Sequence, residues 1–176
     1  VHFPDDAVLG NLVMLEDGSA VETAVVGRDS VSGLAAVFVD APIAWTVRTQ
    51  IAGEIVVMPA KKLTDAMDKS RRLRDLLLCV IYDAQCQAAQ TAACNANHDT
   101  LQRLCKWLLL LLDRTTRSEL ALTQQEVADL LGAERTTING LIQMLKTQGA
   151  ITMSRGLIKV ESPDQLNRMA CDCYDA

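Results

Sequence analysis

The chain has 176 residues, 49% hydrophobic and 22% charged, which is enough to bury a core and too short for a barrel enzyme with an added domain. Its apolar runs, Trp107–Leu112 among them, fall far below the roughly 18 residues that a membrane-spanning helix needs. The net charge of −5 argues only weakly against a nucleic-acid partner, because phosphate contact depends on local potential rather than on the sum.

Charge and glycine divide the chain. Residues 1–60 carry two basic and eight acidic side chains, residues 61–113 carry eight and six, and residues 114–176 carry seven and eight. Gly and Pro break the first sixty residues into short runs, while none occurs between Ala60 and Leu131. The first part therefore reads as strands and the second as helix. No export signal is visible, and the chain opens on Val1-His2-Phe3-Pro4 without an initiating Met, so it reads as lacking its first part.

In the first part, Leu9–Leu15 and Ala20–Val26 flank the turn signal Glu16-Asp17-Gly18-Ser19 and read as a hairpin. Further runs at Ala44–Thr49 and Glu54–Met58 give four strands, whose open edges call for additional residues or a partner. From Ser70 the period changes. Leu73, Leu77, Val80, Ala84, Gln87 and Thr91 alternate steps of four and three, the spacing of a helix-to-helix seam, and Ala84, Ala88 and Ala92 would admit a second helix closely. Leu73, Leu77, Val80, Ala84, Ala88 and Thr91 are accordingly expected at a dimer interface. After a polar break at Asn95–Asp99, a second helix shows Leu101, Leu104, Cys105, Leu108, Leu111 and Leu112 on one side.

Thr123-Gln124-Gln125-Glu126 is a capping-box pattern, so a helix starts at Gln124; it buries Val127, Leu130 and Leu131 and meets Gly132, suited to a left-handed end. A second helix from Arg135 places Ile138, Leu141, Ile142 and Leu145 inward. Its opposite face carries Thr136, Asn139, Gly140, Gln143 and Thr147, flanked by Arg135 and Lys146, with no acid from Arg135 to Gln148. Amides beside a guanidinium suit the base edges of a major groove. Ile151–Met153 and Leu157–Val160, joined by Ser154-Arg155-Gly156, make a small hairpin with a cation at its tip, placed to touch phosphate. Ser162-Pro163-Asp164-Gln165 signals a last helix, with Ser162 as cap and Gln165 completing the box.

The run Leu122–Gly132, with Arg135-Thr136-Thr137-Ile138, Gly149-Ala150-Ile151 and Arg155-Gly156, resembles the winged helix-turn-helix of the Crp/Fnr transcription regulators. The resemblance implies an α+β chain: a partial β-roll sensor over residues 1–69, dimerisation and linker helices over 70–112, and a winged helix-turn-helix over 113–176. It further implies a cytoplasmic homodimer, no membrane, double-stranded DNA as partner, and recruitment or blocking of RNA polymerase. Thr123, Gln124, Arg135, Thr136, Thr137, Asn139, Gln143, Lys146 and Arg155 are the expected DNA-binding residues. Cyclic-nucleotide-binding members hold ribose and phosphate with a Gly-Glu pair and an Arg-Ser/Thr-Ala segment. Here Ser32-Gly33-Leu34-Ala35 and Pro42-Ile43-Ala44-Trp45-Thr46 keep the Gly but lack the Glu and the Arg, so cyclic AMP is not expected to bind and the effector is unknown. Thr136 and Gly140 depart from the Glu and Arg of other members, which implies a different operator.

The six cysteines lie mostly inside apolar helical patterns and read as reduced small hydrophobes, with Cys171-Asp172-Cys173 an isolated pair and no cluster or zinc spacing at His2 or His98. No cofactor, metal or catalytic set is expected, which leaves an enzyme unsupported. Two functions stay open: a DNA-binding regulator, and a protein-interaction module that keeps the winged helix for packing, favoured by the acidic total and by Gly140.

Overall fold

Near residue 60 the patterning changes from alternation to helical period, and there the backbone changes from sheet to helix. The computed structural model describes residues 1–39 and 44–174. The first part contains β1 (His2–Pro4), β2 (Val8–Met14), β3 (Ala20–Val26), the single-turn α1 (Ala35–Phe38), β4 (Thr46–Ile51) and β5 (Ile55–Val57). The predicted hairpin is β2–β3; Asp17 closes its turn by accepting from the Ser19 N–H and hydroxyl, and Gly18 supplies the left-handed residue at φ 84°. The sheet order is β3-β2-β4, antiparallel throughout, with β1 and β5 forming a separate ribbon. Among the described residues no strand covers the outer edges of β3 and β4.

Helices follow without interruption: α2 (Ala60–Lys69), α3 (Arg71–Asn97) and α4 (Thr100–Arg114). Neither β1, α1 nor α2 is anticipated by the sequence patterns above. Ser70 caps α3 by accepting from Leu73 N–H, and Asp99 and Gln102 form a capping box that starts α4 two residues after α3 ends. The C-terminal part comprises β6 (Glu119–Leu120), α5 (Gln124–Leu131), α6 (Arg135–Thr147), β7 (Ile151–Ser154), β8 (Leu157–Val160), α7 (Pro163–Met169) and a short 3-10 turn at Asp172–Tyr174. Pro163 opens α7 as expected, but the Ser162 side chain makes no capping hydrogen bond.

Two apolar cores result. The larger runs from Val8, Leu12, Val25 and Ile51 of the sheet through Leu104, Leu108 and Leu111 of α4 to Val127, Ile138, Ile142, Leu145, Ile158 and Leu166. Thus α4 packs against both the sheet and the C-terminal elements. The smaller core joins Leu34, Leu63, Met67 and Leu77, with Leu73, Val80 and Ile81 at its margin. Three residues of the predicted seam pack within the chain. Leu77 is 3% exposed, and Leu73 and Val80 are partly buried, because they are needed to cover the chain's own sheet unit. Ala84 and Ala88 face a cavity beside the sheet, and Thr91 lines a recess next to Trp107.

A buried carboxylate marks the junction of sheet and α4. Glu22 accepts from Trp107 Nε1 at 2.8 Å, while its Oε2 and both polar atoms of the Gln50 amide lack partners among the described residues. Gly10 makes room for them, since a Cβ there would overlap the Gln50 amide and the Glu22 carboxylate. Burial pushes the Glu22 carboxyl up to about 8 against the opposing effects of the Trp107 hydrogen bond and the Arg114 charge. The folded state holds this proton more tightly than the unfolded chain, so the contribution to stability is complete below about 4.5 and is lost as pH rises through about 8. Glu22→Gln keeps an acceptor for Trp107 and removes the titration. Its melting temperature should exceed that of the parent chain above pH 8 and converge with it near pH 4.5; melts that stay parallel across that window would refute the assignment.

Candidate nucleic-acid interface

The helix-turn-helix forms as its local chemistry dictates. Thr123 accepts from the Glu126 N–H at 3.2 Å, and Glu126 returns the contact by accepting from the Thr123 N–H at 2.9 Å. Gly132 ends α5 at φ 58°, in the left-handed region, and Gly132, Ala133 and Glu134 connect it to the start of α6 at Arg135. Ile138, Ile142 and Leu145 are buried beneath α6, while Arg135, Thr136, Thr137, Asn139, Gly140, Gln143, Lys146 and Thr147 are exposed. The face predicted to read DNA therefore stands clear of the protein body.

At about 100° per residue, Arg135, Asn139, Gln143 and Lys146 fall along one flank of α6. Thr123, Gln124, Arg135, Gln143, Lys146 and Arg155 line a common open cleft of about 530 Å³, bounded by the start of α5, the flank of α6 and the β7–β8 hairpin. Of the other predicted DNA-binding residues, Thr136 and Asn139 are exposed beyond that lining, and Thr137 lies on the opposite flank from Asn139. Gln124 is half-buried, and its amide approaches Met153 Sδ at 3.8 Å.

The hairpin turns on Arg155 and Gly156, both left-handed at φ 48° and 78°, which matches the twist of a two-residue hairpin turn. Lys159 is engaged by Glu161 at 3.0 Å, whereas Arg155 has no ion-pair partner among the described residues. The cleft thus presents three cations, Arg135, Lys146 and Arg155, with the Thr123 hydroxyl and the amides of Gln124, Gln125 and Gln143. The cleft lining is thus cationic although the chain as a whole is acidic, the local arrangement an anion-binding surface requires.

Glu126 has a second contact that sequence reading missed. Arg48 of β4 reaches its Oε1 at 2.7 Å, joining the sheet unit to the first helix of the helix-turn-helix. The Thr123 backbone N–H, followed by its hydroxyl and the Arg48 guanidinium, holds the Glu126 carboxyl below its ordinary range. No periodicity marks such a pair, 78 positions apart in the chain.

Four of the cysteine and histidine side chains depart from the expected arrangement. Cys94, His98, Cys171 and Cys173 are not dispersed small hydrophobes; their ligand atoms lie within 4.8 Å of one another where α3 ends against the C-terminal turn. The i, i+4 spacing of Cys94 and His98 was the available signal. Cys105 remains a core thiol, pushed up to about 12 by burial. Pro42 and Ile43, read above as replacing the phosphate-binding segment, lie outside the described residues.

A sheet unit, a long helix and an exposed winged helix-turn-helix follow one another in this order along the chain. Residues 102–169 match the family model of the Crp-like helix-turn-helix domain, and the chain has the fold of the Crp/Fnr regulators, as its motifs implied. It is similar to a CRP-family transcriptional regulator from Thermus thermophilus (15% identity, TM-score 0.76, 96% of this chain and 86% of that one). It is also similar to FixK2 from Bradyrhizobium japonicum (16%, TM-score 0.75, 97% and 86%). A second Thermus thermophilus regulator, of the CRP/FNR family, aligns at 18% identity with a TM-score of 0.72, over 96% and 86%. Comparison of the sequence with curated proteins finds no match. Among the described residues no helix is long and apolar enough to cross a membrane.

Because the Thr123 hydroxyl accepts from the Glu126 N–H at the start of α5, Thr123→Ala should lower stability by about 1 kcal/mol in urea unfolding, with no change in the slope of the transition. A loss confined to DNA affinity would instead make the cap a bystander to folding.

Proposed function

We propose that the chain is a sequence-specific DNA-binding transcription regulator that acts as a cytoplasmic homodimer and raises or lowers access of RNA polymerase to its promoters. The carrying observation is the unobstructed α6 face beside the cationic cleft. Arg135, Thr136, Asn139, Gln143 and Lys146 enter the major groove in this scheme, while Thr123, Gln124, Thr137 and Arg155 meet the backbone. The six free thiols suit a reducing compartment.

The effector site is the cavity of about 700 Å³ between the sheet and α3, bounded by Leu34, Phe38, Trp45, Ile81, Ala84 and Ala88. No cationic side chain lines it among the described residues, so a cyclic phosphate would lose its ordinary charged partner there. An uncharged, largely apolar effector fits this lining better, and cyclic AMP is excluded from the scheme.

With Leu73, Leu77 and Val80 committed to the sheet unit, the dimer surface moves to the other side of α3. Asp75, Cys79, Tyr82, Cys86, Ala89 and Ala93 are all exposed and follow steps of four and three, a complete heptad seam. Tyr82, at 66% exposure, stands at its middle. Tyr82→Glu should convert a dimer to a monomer in size-exclusion chromatography with light scattering, while Ala88→Glu, facing the cavity, should leave the mass unchanged. A parent chain that is monomeric at micromolar concentration would end the homodimer proposal.

DNA binding is tested by mobility shift on the gene's own upstream region. Arg135→Ala should weaken the shift roughly five- to a hundredfold and relax discrimination at one base pair, whereas Arg155→Ala should weaken all sequences alike and reduce the salt dependence. Absence of any shift at low salt would favour the interaction module instead.

A further inference from the structure

We propose that Cys94, His98, Cys171 and Cys173 bind one zinc ion in a tetrahedral Cys3His site that fastens the end of α3 to the C-terminal turn of the DNA-binding unit. Such a site is independent of whether the chain binds DNA. Cys94 and His98 are one helical turn apart and so share a side, and Cys171 and Cys173 stand two residues apart at the C-terminal 3-10 turn. The fold then sets one pair against the other. Cys94 Sγ lies 3.5 Å from Cys171 Sγ, Cys173 Sγ lies 3.5 Å from His98 Nδ1, and all four atoms fall within 4.8 Å.

With zinc–sulfur bonds of about 2.3 Å and zinc–nitrogen bonds of about 2.0–2.1 Å, a tetrahedral site has edges of about 3.8 Å between sulfurs and about 3.6 Å between sulfur and nitrogen. Both named separations, at 3.5 Å, lie within about 0.3 Å of those edges. A four-iron cluster, whose ligands must spread around a cube, is too large for this enclosure. Three thiolates with an imidazole favour zinc over oxygen-seeking divalent ions.

The surroundings fit a ligating role. His98 Nε2 faces Asp172 Oδ1 at 3.4 Å, the carboxylate-to-imidazole contact that orients a histidine whose other nitrogen binds metal. Gln90 Nε2 donates to Cys173 Sγ at 2.9 Å, a bond that stabilises negative charge on sulfur. Cys94, Cys171 and Cys173 are buried, and His98 is half-buried beside a shallow opening through which an ion can enter. On binding, each ligating thiol gives its proton to solvent and its sulfur lone pair to the metal, with no change of oxidation state. The ion would set the angle between α3 and α4, since His98 occupies the break between them while Cys171 and Cys173 follow α7.

The test uses the reduced 176-residue chain, prepared without a metal-affinity tag, incubated with zinc and gel-filtered before metal analysis. One zinc per chain is expected, released by a mercurial thiol reagent. Cobalt in its place should give the visible bands and near-ultraviolet thiolate absorption of a tetrahedral site. Cys171→Ser and His98→Gln should each abolish stoichiometric retention, and Asp172→Asn should weaken it about ten- to a hundredfold. Cys79→Ser/Cys86→Ser, altering only exposed thiols, should retain the full equivalent. The proposal is overturned if the parent chain, shown helical by circular dichroism, retains no zinc. It is equally overturned if the exposed-thiol variant loses the metal, or if mass spectrometry finds a Cys94–Cys171 disulfide that persists under the same reducing conditions.

Discussion

Burial of α4 is the constraint on which the other contacts depend. Leu104, Leu108 and Leu111 are fully buried, and α4 meets β3 on one side and α5 and α7 on another. Burying each such side chain stabilises the fold by about 1.5–3 kcal/mol, so the sheet unit and the winged helix share one core. Polar ends of α4 complete the junction: Trp107 donates to Glu22, Arg103 donates to the Leu131 carbonyl, and Arg114 pairs with Asp29 at 2.8 Å. The sheet is therefore packed directly on the helix that carries the elements proposed to face DNA.

Around that apolar junction lies a rim of ion pairs, Arg48–Glu126, Arg117–Asp6 and Arg114–Asp29. Partly exposed pairs contribute about 0–1 kcal/mol each, so they set registry more than strength. Arg48–Glu126 differs in its connection: the same carboxylate closes the capping box that starts α5. The sheet thus touches the group that orders the start of the helix-turn-helix, a direct mechanical link between the cavity-bearing unit and the proposed DNA face.

The helix-turn-helix is legible in the sequence because its determinants are local. Capping box, left-handed glycine and i, i+3, i+4 apolar spacing each act over a few residues, and Thr123, Gly132 and Ile138 occupy the positions they imply. The hairpin at Glu16–Ser19 is legible for the same reason. The α3 seam is less legible, because periodicity reveals that a face is apolar, not what it covers. Leu73, Leu77 and Val80 would suit a partner helix equally well, and only the approach of Leu34, Leu63 and Met67 shows that the chain itself claims them.

By itself, the order of residues determined the two kinds of architecture, the helix-turn-helix and the polar front of α6, since these follow from interactions between near neighbours. Tertiary structure alone decided which side of α3 stays open, that Arg48 meets Glu126, and that Cys94 and His98 meet Cys171 and Cys173. Those pairings join positions some 75 or more apart. Their encounter depends on how α4 is buried, and no local propensity encodes a distance between elements that only the shared core brings together.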